Sequence, residues 1–291
     1  MLSIKNIIEL TVPQYLIITI LTPLAAWLML GHSYPTFGLT LAVVSLSLAM
    51  LGFNVMNMIF DVKIDRISKP ERPIPSGAVS VKEASLLVFI FYLTSTFVAF
   101  RLNVFLFALV LAFIVISFLY TNPVTYLRRY FWAPSMVGAI IYGLIPFLIA
   151  FTSSEKTMNI IYPLFFASLV FFIAPSKDIE DTKGDKRANI ISLPILIGIR
   201  NTMIFIIGGV ISVLICMAFL SLMDIIDKKF ILPSLISIAL FLILNKNYIH
   251  HMNNPELHEM IITQSKFVTT NMIAIITIQM LYGLTNILLL L

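Results

Sequence analysis

The chain has 291 residues, 59% of them hydrophobic and 11% charged, with a mean hydropathy of +1.01, whereas an ordinary soluble domain carries roughly a quarter charged residues. That balance excludes a soluble globular domain and points to a membrane protein. The net charge of +5 gives no sign of a nucleic-acid partner, because the basic residues sit in short stretches between apolar runs and no soluble basic domain gathers them.

In chain order, apolar runs long enough to cross a bilayer, which takes about 20 helical residues, cover 12–31, 37–60, 81–100, 103–120, 132–151, 158–175, 200–222, 230–248 and 267–290. Nine such runs predict an all-α membrane protein with nine transmembrane helices. The runs are continuously apolar and lack the alternation of barrel strands, which argues against a β-barrel. The first run is too long, and its start too poor in basic residues, for a cleaved signal peptide, so it is read as a span. A short hinge at Leu102 makes the third and fourth spans a hairpin. Cys216, the only cysteine, lies in the middle of the seventh run. It precludes an intramolecular disulfide and a multi-cysteine metal site, and reads as core filler.

Orientation follows from the basic residues, which collect in cytoplasmic loops. The side holding the N-terminus and the loops after spans 2, 4, 6 and 8 carries 15 of the 19 Lys and Arg residues. The N-terminus is therefore expected in the cytoplasm, with the protein multi-pass in the cell membrane. No low-complexity linker interrupts the chain, so a single domain is read over residues 1–291, with cytoplasmic cap loops at about 61–80 and 177–193.

Those two loops hold half of the acidic residues. In "NMIFDVKIDR" a helix places Asn57, Asp61 and Asp65 within about 80° of one another. In "KDIEDTKGDKRANIISLP" it places Asp178, Asp181 and Asp185 within about 60°, and turns Glu180 away toward solvent. The pairs Asp61/Asp65 and Asp181/Asp185 are offset by 120 residues with four spans per offset, so both face one side of the membrane, as parallel repeats would place them. One acidic and basic cluster at a helix end is ordinarily a solvated cap. A second at equal spacing and equivalent topology points to a shared ligand. Carboxylates near the hydrocarbon need a cation, and Mg²⁺ takes oxygen ligands and is typically held by one or two carboxylates together with substrate phosphates. The basic residues around them, Lys63, Arg66, Arg72, Lys177, Lys183, Lys186 and Arg187, exceed what carboxylate pairing needs, and Arg suits bidentate phosphate binding. Together they suggest a diphosphate bridged to both Asp groups through Mg²⁺.

At these residues the chain resembles the UbiA-type intramembrane prenyltransferases. The first signature of that family, Asn-x-x-x-Asp-x-x-x-Asp with a following Arg-Pro-x-x-Ser-Gly, is here "NMIFDVKIDR" and "KPERPIPSG"; the second, an Asp-rich helix followed by Gly-Asp and Leu-Pro, is "KDIEDTKGDKRANIISLP". The resemblance implies a bundle around a central cavity, in which a polyprenyl diphosphate binds through Mg²⁺ to both motifs and a lipophilic acceptor among the membrane lipids attacks its C1. It implies catalytic roles for Asp61, Asp65, Asp181 and Asp185, metal ligation by those four with Asn57 and Asp178, and substrate binding by Asn57, Arg66, Arg72, Arg128, Lys177 and Lys186. In the loop after span 4, Arg128 or Arg129 of "YLRRYF" stands where relatives carry a diphosphate-contacting Lys. Met58 follows Asn57 where relatives often have Asp, and "FFIAPSKD" lacks the Arg-Glu common ahead of the second motif, with a kink expected at Pro175. The motifs look closest to members that alkylate geranylgeranylglyceryl phosphate in archaeal lipid synthesis. An aromatic quinone precursor or a tetrapyrrole is the alternative acceptor. A divalent-cation transporter is the non-enzyme alternative, disfavoured because transporters hold ionisable groups near the bilayer midplane. His250, His251 and His258 are read as solvated loop residues, and Asp224 and Asp227 as partners of Lys228 and Lys229.

Overall fold

The structure is a computed structural model that describes residues 3–187, 189–264 and 266–288, all helix and loop, with no strand among the described residues. Ala188, within the second predicted cap loop, and the last two residues of the ninth predicted span lie outside the described residues. Seven helices are long and apolar enough to cross a membrane, or eight if α1 (Ile4–Thr11) and α2 (Leu16–Met29), bent by 58°, count as one span. The break between them follows from Val12, whose φ of 45° is left-handed, and from Pro13. The eighth predicted span falls short: its helix, α13 (Ile231–Leu244), has 14 residues and stops at Asn245 before the five-residue α14 (Lys246–His250).

Local chemistry sets most helix ends. Thr36 caps α3 (Phe37–Phe60), accepting from the Leu39 N–H at 3.1 Å. Ser80 and Glu83 form a reciprocal capping box on α5 (Val81–Leu102). Asn103, in extended conformation, ends α5 and caps α6 (Val104–Thr121) through a 2.7 Å bond from the Leu106 N–H, so the hinge at Leu102 does make a hairpin. The fifth run is interrupted: α7 (Ala133–Gly138) passes through a π-helical turn (Ala139–Leu144) into α8 (Ile145–Thr152). Pro146, one turn on, has no N–H to give the ladder, which is where a wider turn is tolerated.

The helices alternate in direction. At one end of the bundle the Lys156 Nζ donates to the Gly31 carbonyl at 2.7 Å, His32 Nε2 meets Ser154 Oγ at 2.8 Å, and the Asn286 amide donates to the carbonyls of Leu28 and Met29. At the other end stand α4 (Val62–Ser68), the loop after α6, α10 (Pro175–Arg187) and α15 (Pro255–Gln264). Cys216 is exposed on α12 (Ile199–Leu222) and is not core filler. The helix face carrying it turns away from the bundle.

Two glycines let backbones touch. A Cβ on Gly143 would lie 2.7 Å from the Cα of Ala167 on α9 (Ile161–Ile173), and one on Gly283 of α16 (Lys266–Leu288) 2.6 Å from the Ala25 carbonyl oxygen. Small residues at such crossings are how membrane helices pack closely. Gly143→Ala is therefore expected to cost about 1–3 kcal/mol through overpacking, whereas Gly208→Ala, where a Cβ meets nothing within 4 Å, is neutral or stabilising. Thermal unfolding of the two variants side by side checks this.

Helices α13 and α16 meet along a polar seam. Ser234 Oγ lies 2.5 Å from Tyr282 Oη, and Tyr248 packs edge-on to Phe267 with ring centroids 4.8 Å apart. Ser237, Gln279, Asn245 and Asn271 are fully buried along these helices, but they do not pair across them: the Asn245 and Asn271 amides donate to the Phe241 and Phe267 carbonyls one turn back, and Ser237 Oγ has no partner. Thr22 of α2 donates to the Gln279 Oε1 at 2.8 Å. Hydrogen bonds between helices of this kind replace the hydrophobic drive that lipid cannot provide.

Candidate active site

The first acidic stripe forms because the helix continues past the membrane edge. Backbone N–H groups of Asp61, Asp65 and Lys69 donate to the carbonyls of Asn57, Asp61 and Asp65 at 2.8–2.9 Å, carrying one face from α3 into α4. Asp61 sits at the junction, with φ −82° and ψ 0°. Lys69, one turn beyond Asp65 on the same four-residue spacing, extends this face. The second stripe lies on α10, which starts at Pro175 directly after the α9 cap residue Ala174, where the kink was expected. Ile179 is buried there, and the Thr182 hydroxyl donates to the Asp178 and Ile179 carbonyls.

The two stripes converge through cations. Arg128, in a short 3₁₀ turn that follows the left-handed residue Tyr126, donates from Nη1 to Asp61 Oδ2 at 2.5 Å. Its Nη2 lies 4.0 Å from Asp181 Oδ2 and 3.9 Å from Asp185 Oδ1. Lys69 Nζ reaches from the first motif to Asp181 Oδ1 at 3.7 Å, and Lys177 Nζ to the same oxygen at 3.3 Å. Arg72 pairs with Asp65 at 2.7 Å. Of the two loop arginines it is Arg128 that faces the cluster; Arg129 is exposed and stacks over the Tyr130 ring. Arg66 and Lys186 are exposed. Glu180 does not turn to solvent as expected: Lys177, one turn earlier, holds it at 3.0 Å, and its side chain is 19% exposed.

Burial pushes the Asp61 carboxyl above its ordinary value, against the pull of Arg128. Burial alone would lower Arg128, but Asp61 first, then Tyr120, Asp181 and Asp185, hold it well above its ordinary value, so the guanidinium stays charged. Taken as ionised, the carboxylates of Asp61, Asp65, Asp178, Glu180, Asp181 and Asp185 face four cations, Lys69, Arg72, Arg128 and Lys177. Two negative charges remain uncompensated.

Two buried acceptors, Asn57 Oδ1 and Asp178 Oδ2, have no hydrogen-bond partner. Leaving such groups without a donor or cation is costly. With the excess negative charge they make an all-oxygen donor set, which suits a hard divalent cation such as Mg²⁺. Among the described residues no three carboxylates or imidazoles are grouped closely enough to hold an ion, and Arg128 stands between the carboxylates that would do so. The histidines of the loop after α13 do not contribute: His258 bonds to the Met252 carbonyl, and His250 and His251 are exposed. Asp224 and Asp227 pair with Lys228 and Lys229 as expected.

Cavities flank the bundle. One of about 660 Å³ lies at the end opposite the acidic cluster, beside Lys156, Tyr162, Asp227, Lys229 and Asn286. Another, of about 430 Å³, is an apolar groove between α2 and α3; it runs from Leu16 and Leu51 on the acidic side to Pro35 and Leu39 at the far end.

Comparison with known proteins places this geometry. The profile of the UbiA prenyltransferase family matches residues 15–259. The digeranylgeranylglyceryl phosphate synthase of Sulfolobus acidocaldarius is 32% identical over 178 residues, 58% of this chain and 60% of the relative. That of Methanocaldococcus jannaschii is 34% identical over 150 residues, half of each chain. The alignments thus span less than two thirds of these relatives' length. A UbiA homologue from Archaeoglobus fulgidus, solved bound to DMAPP and Mg²⁺, shares the fold with a TM-score of 0.70 at 19% identity, over 93% of this chain and 99% of that one. A structure bearing on digeranylgeranylglyceryl phosphate synthase in membranes does so with a TM-score of 0.71 at 22% identity, over 96% and 98%.

Proposed function

This chain belongs to the UbiA prenyltransferase family, and from that premise we propose that it transfers a polyprenyl group from a polyprenyl diphosphate to a lipophilic acceptor in the membrane, with geranylgeranylglyceryl phosphate as the favoured acceptor. The observation that carries the reading is Arg128, whose guanidinium joins Asp61 of the first motif to Asp181 and Asp185 of the second. One anionic ligand can therefore be gripped from both.

In the reaction the allylic C1–O bond of the donor breaks, the diphosphate leaves with the bonding pair, and the acceptor oxygen forms a bond to C1 and loses its proton. Asn57, Asp61, Asp65, Asp178, Asp181 and Asp185 are suited to hold Mg²⁺, which when bound would supply positive charge to the leaving diphosphate. Arg72, Arg128, Lys69 and Lys177 add N–H donors where that charge develops. Arg66 and Lys186, exposed at the same end, are proposed to meet the diphosphate from the solvent side. The apolar groove starting at Leu16 gives a hydrocarbon chain a path beside the acidic cluster. The favoured acceptor rests on the digeranylgeranylglyceryl phosphate synthases among the relatives. We further propose that the chain is one domain crossing the cell membrane nine times, counting the bent pair α1 and α2 as one crossing and the short α13 with α14 as another, with a cytoplasmic N-terminus and the site opening to the cytoplasm. Support comes from the alternating helix directions and from the 15 of 19 basic residues on the acidic side. A cation transporter is disfavoured because the charges lie at one end of the bundle.

The test is direct. Purified protein with labelled geranylgeranyl diphosphate and Mg²⁺ is expected to label geranylgeranylglyceryl phosphate in preference to quinone precursors or tetrapyrroles, and to lose all transfer with EDTA. Label on an aromatic acceptor alone would move the assignment, and transfer to no acceptor would remove it.

A further inference from the structure

We propose that Arg128 acts as a resident counter-ion that keeps a divalent cation out of the acidic cluster until a diphosphate draws the guanidinium away, so that metal and diphosphate bind interdependently. The inference rests on the transferase reading and concerns only how its ligands arrive.

The geometry argues it in three steps. Arg128 lies between carboxylates of both motifs, 2.5 Å from Asp61, 3.9 Å from Asp185 and 4.0 Å from Asp181, the oxygens a cation bridging the motifs would use. An arginine does not lose its proton in a protein, so it cannot leave the cluster by titration; it has to move. A cation entering beside it would meet a like charge at close range in a partly desolvated place, where such repulsion is weakly screened.

A diphosphate changes the balance. Its oxygens offer the planar guanidinium a bidentate partner, and each carboxylate Arg128 releases would be free to ligate a metal. Lys69, Lys177 and Arg72 do not substitute for it. Lys69 and Arg72 each pair with one carboxylate and Lys177 with Glu180 and Asp181 of the second motif, whereas Arg128 contacts Asp61 of the first motif and both Asp181 and Asp185 of the second. Asn57 Oδ1 and Asp178 Oδ2, one helical turn before Asp61 and Asp181, are buried acceptors without partners. By linkage, whatever the diphosphate does for metal affinity the metal does equally for diphosphate affinity.

The experiment titrates Mn²⁺ into purified wild type, Arg128→Gln and Arg128→Lys, followed by electron paramagnetic resonance, with and without geranylgeranyl thiodiphosphate as an unreactive donor. Wild type is expected to bind Mn²⁺ at least about tenfold more tightly with the thiodiphosphate, within the usual range of coupling between sites. Arg128→Gln is expected to bind Mn²⁺ alone about five- to tenfold more tightly than wild type and to lose most of the coupling. Arg128→Lys, which keeps the charge but not the fork, is expected to hold Mn²⁺ off as wild type does while binding the thiodiphosphate more weakly. Equal Mn²⁺ affinity with and without thiodiphosphate in wild type, or weaker Mn²⁺ binding in a folded Arg128→Gln, overturns the counter-ion role and leaves the transferase reading standing. Absence of any Mn²⁺ or thiodiphosphate binding in wild type overturns both. If Arg128→Gln does not fold, the wild type and Arg128→Lys titrations decide alone.

Discussion

Asp181→Ala and Asp61→Ala each lower prenyl transfer by at least about 10²–10³-fold, the range seen when one fixed electrostatic group is removed from around a developing charge. Asp181 is the carboxylate on which the most cations converge: Lys177 at 3.3 Å, Lys69 at 3.7 Å and Arg128 at 4.0 Å. Removing it strips the second motif of the oxygen that the first motif's loop reaches for. The fold should survive. Helix α10 is anchored by buried Ile179 and by the Thr182 hydroxyl on the Asp178 and Ile179 carbonyls, none of which involves Asp181. At Asp61 the helix is carried by backbone bonds to Asn57 and from Asp65. Turnover measured at saturating Mg²⁺, with circular dichroism as the check on folding, decides it. Activity within a few fold of wild type in either folded variant would end the two-motif clamp.

The second large effect is on stability. Arg128→Ala leaves Asp61 and Asp185 without their shared partner, and breaking a buried ion pair costs about 3–5 kcal/mol. The Arg128 side chain is 21% exposed, so water recovers part of that, and about 2–3 kcal/mol is the expected loss. The sign of the metal response is the sharper readout. Divalent cation should raise the unfolding temperature of Arg128→Ala more than that of wild type, because metal can replace the missing charge and stabilises the state it binds. A smaller rise in the variant than in wild type would show that the carboxylates do not receive a cation once the guanidinium is gone.

Much of this arrangement was legible before any coordinates, and the parts that were not have physical reasons. Four-residue spacing placed Asn57, Asp61 and Asp65 on one face, and the helix runs through them unbroken. Lys69 obeys the same spacing, but "RISKPERP" ends in prolines and reads as loop, so the extra turn went uncounted. Arg128 could be singled out only by resemblance. Its position depends on the left-handed turn at Tyr126 and on where α6 delivers the chain, and neither leaves a periodic trace. Hydropathy also averages away the breaks within and beside the apolar runs. A window does not register the break at Val12 and Pro13, the stop at Asn245 or the widened turn at 139–144, because each rests on a backbone angle or a single hydrogen bond inside an apolar run. Glu180 shows the converse error: the angular argument was sound, but a lysine one turn back offered it a partner.

The seam between α13 and α16, with Thr22 of α2 reaching Gln279 and Gly283 seated against Ala25, carries a consequence for how the protein is made. Helix α16 emerges from the ribosome after every helix it joins. Until it arrives, Ser234 lacks Tyr282, Thr22 lacks Gln279, and the carbonyls of Leu28 and Met29 lack the Asn286 amide. These α2 contacts in the bilayer thus wait for α16, and a chain cut short before residue 279 would leave the α2 face of Thr22, Ala25 and Leu28 without its partner helix.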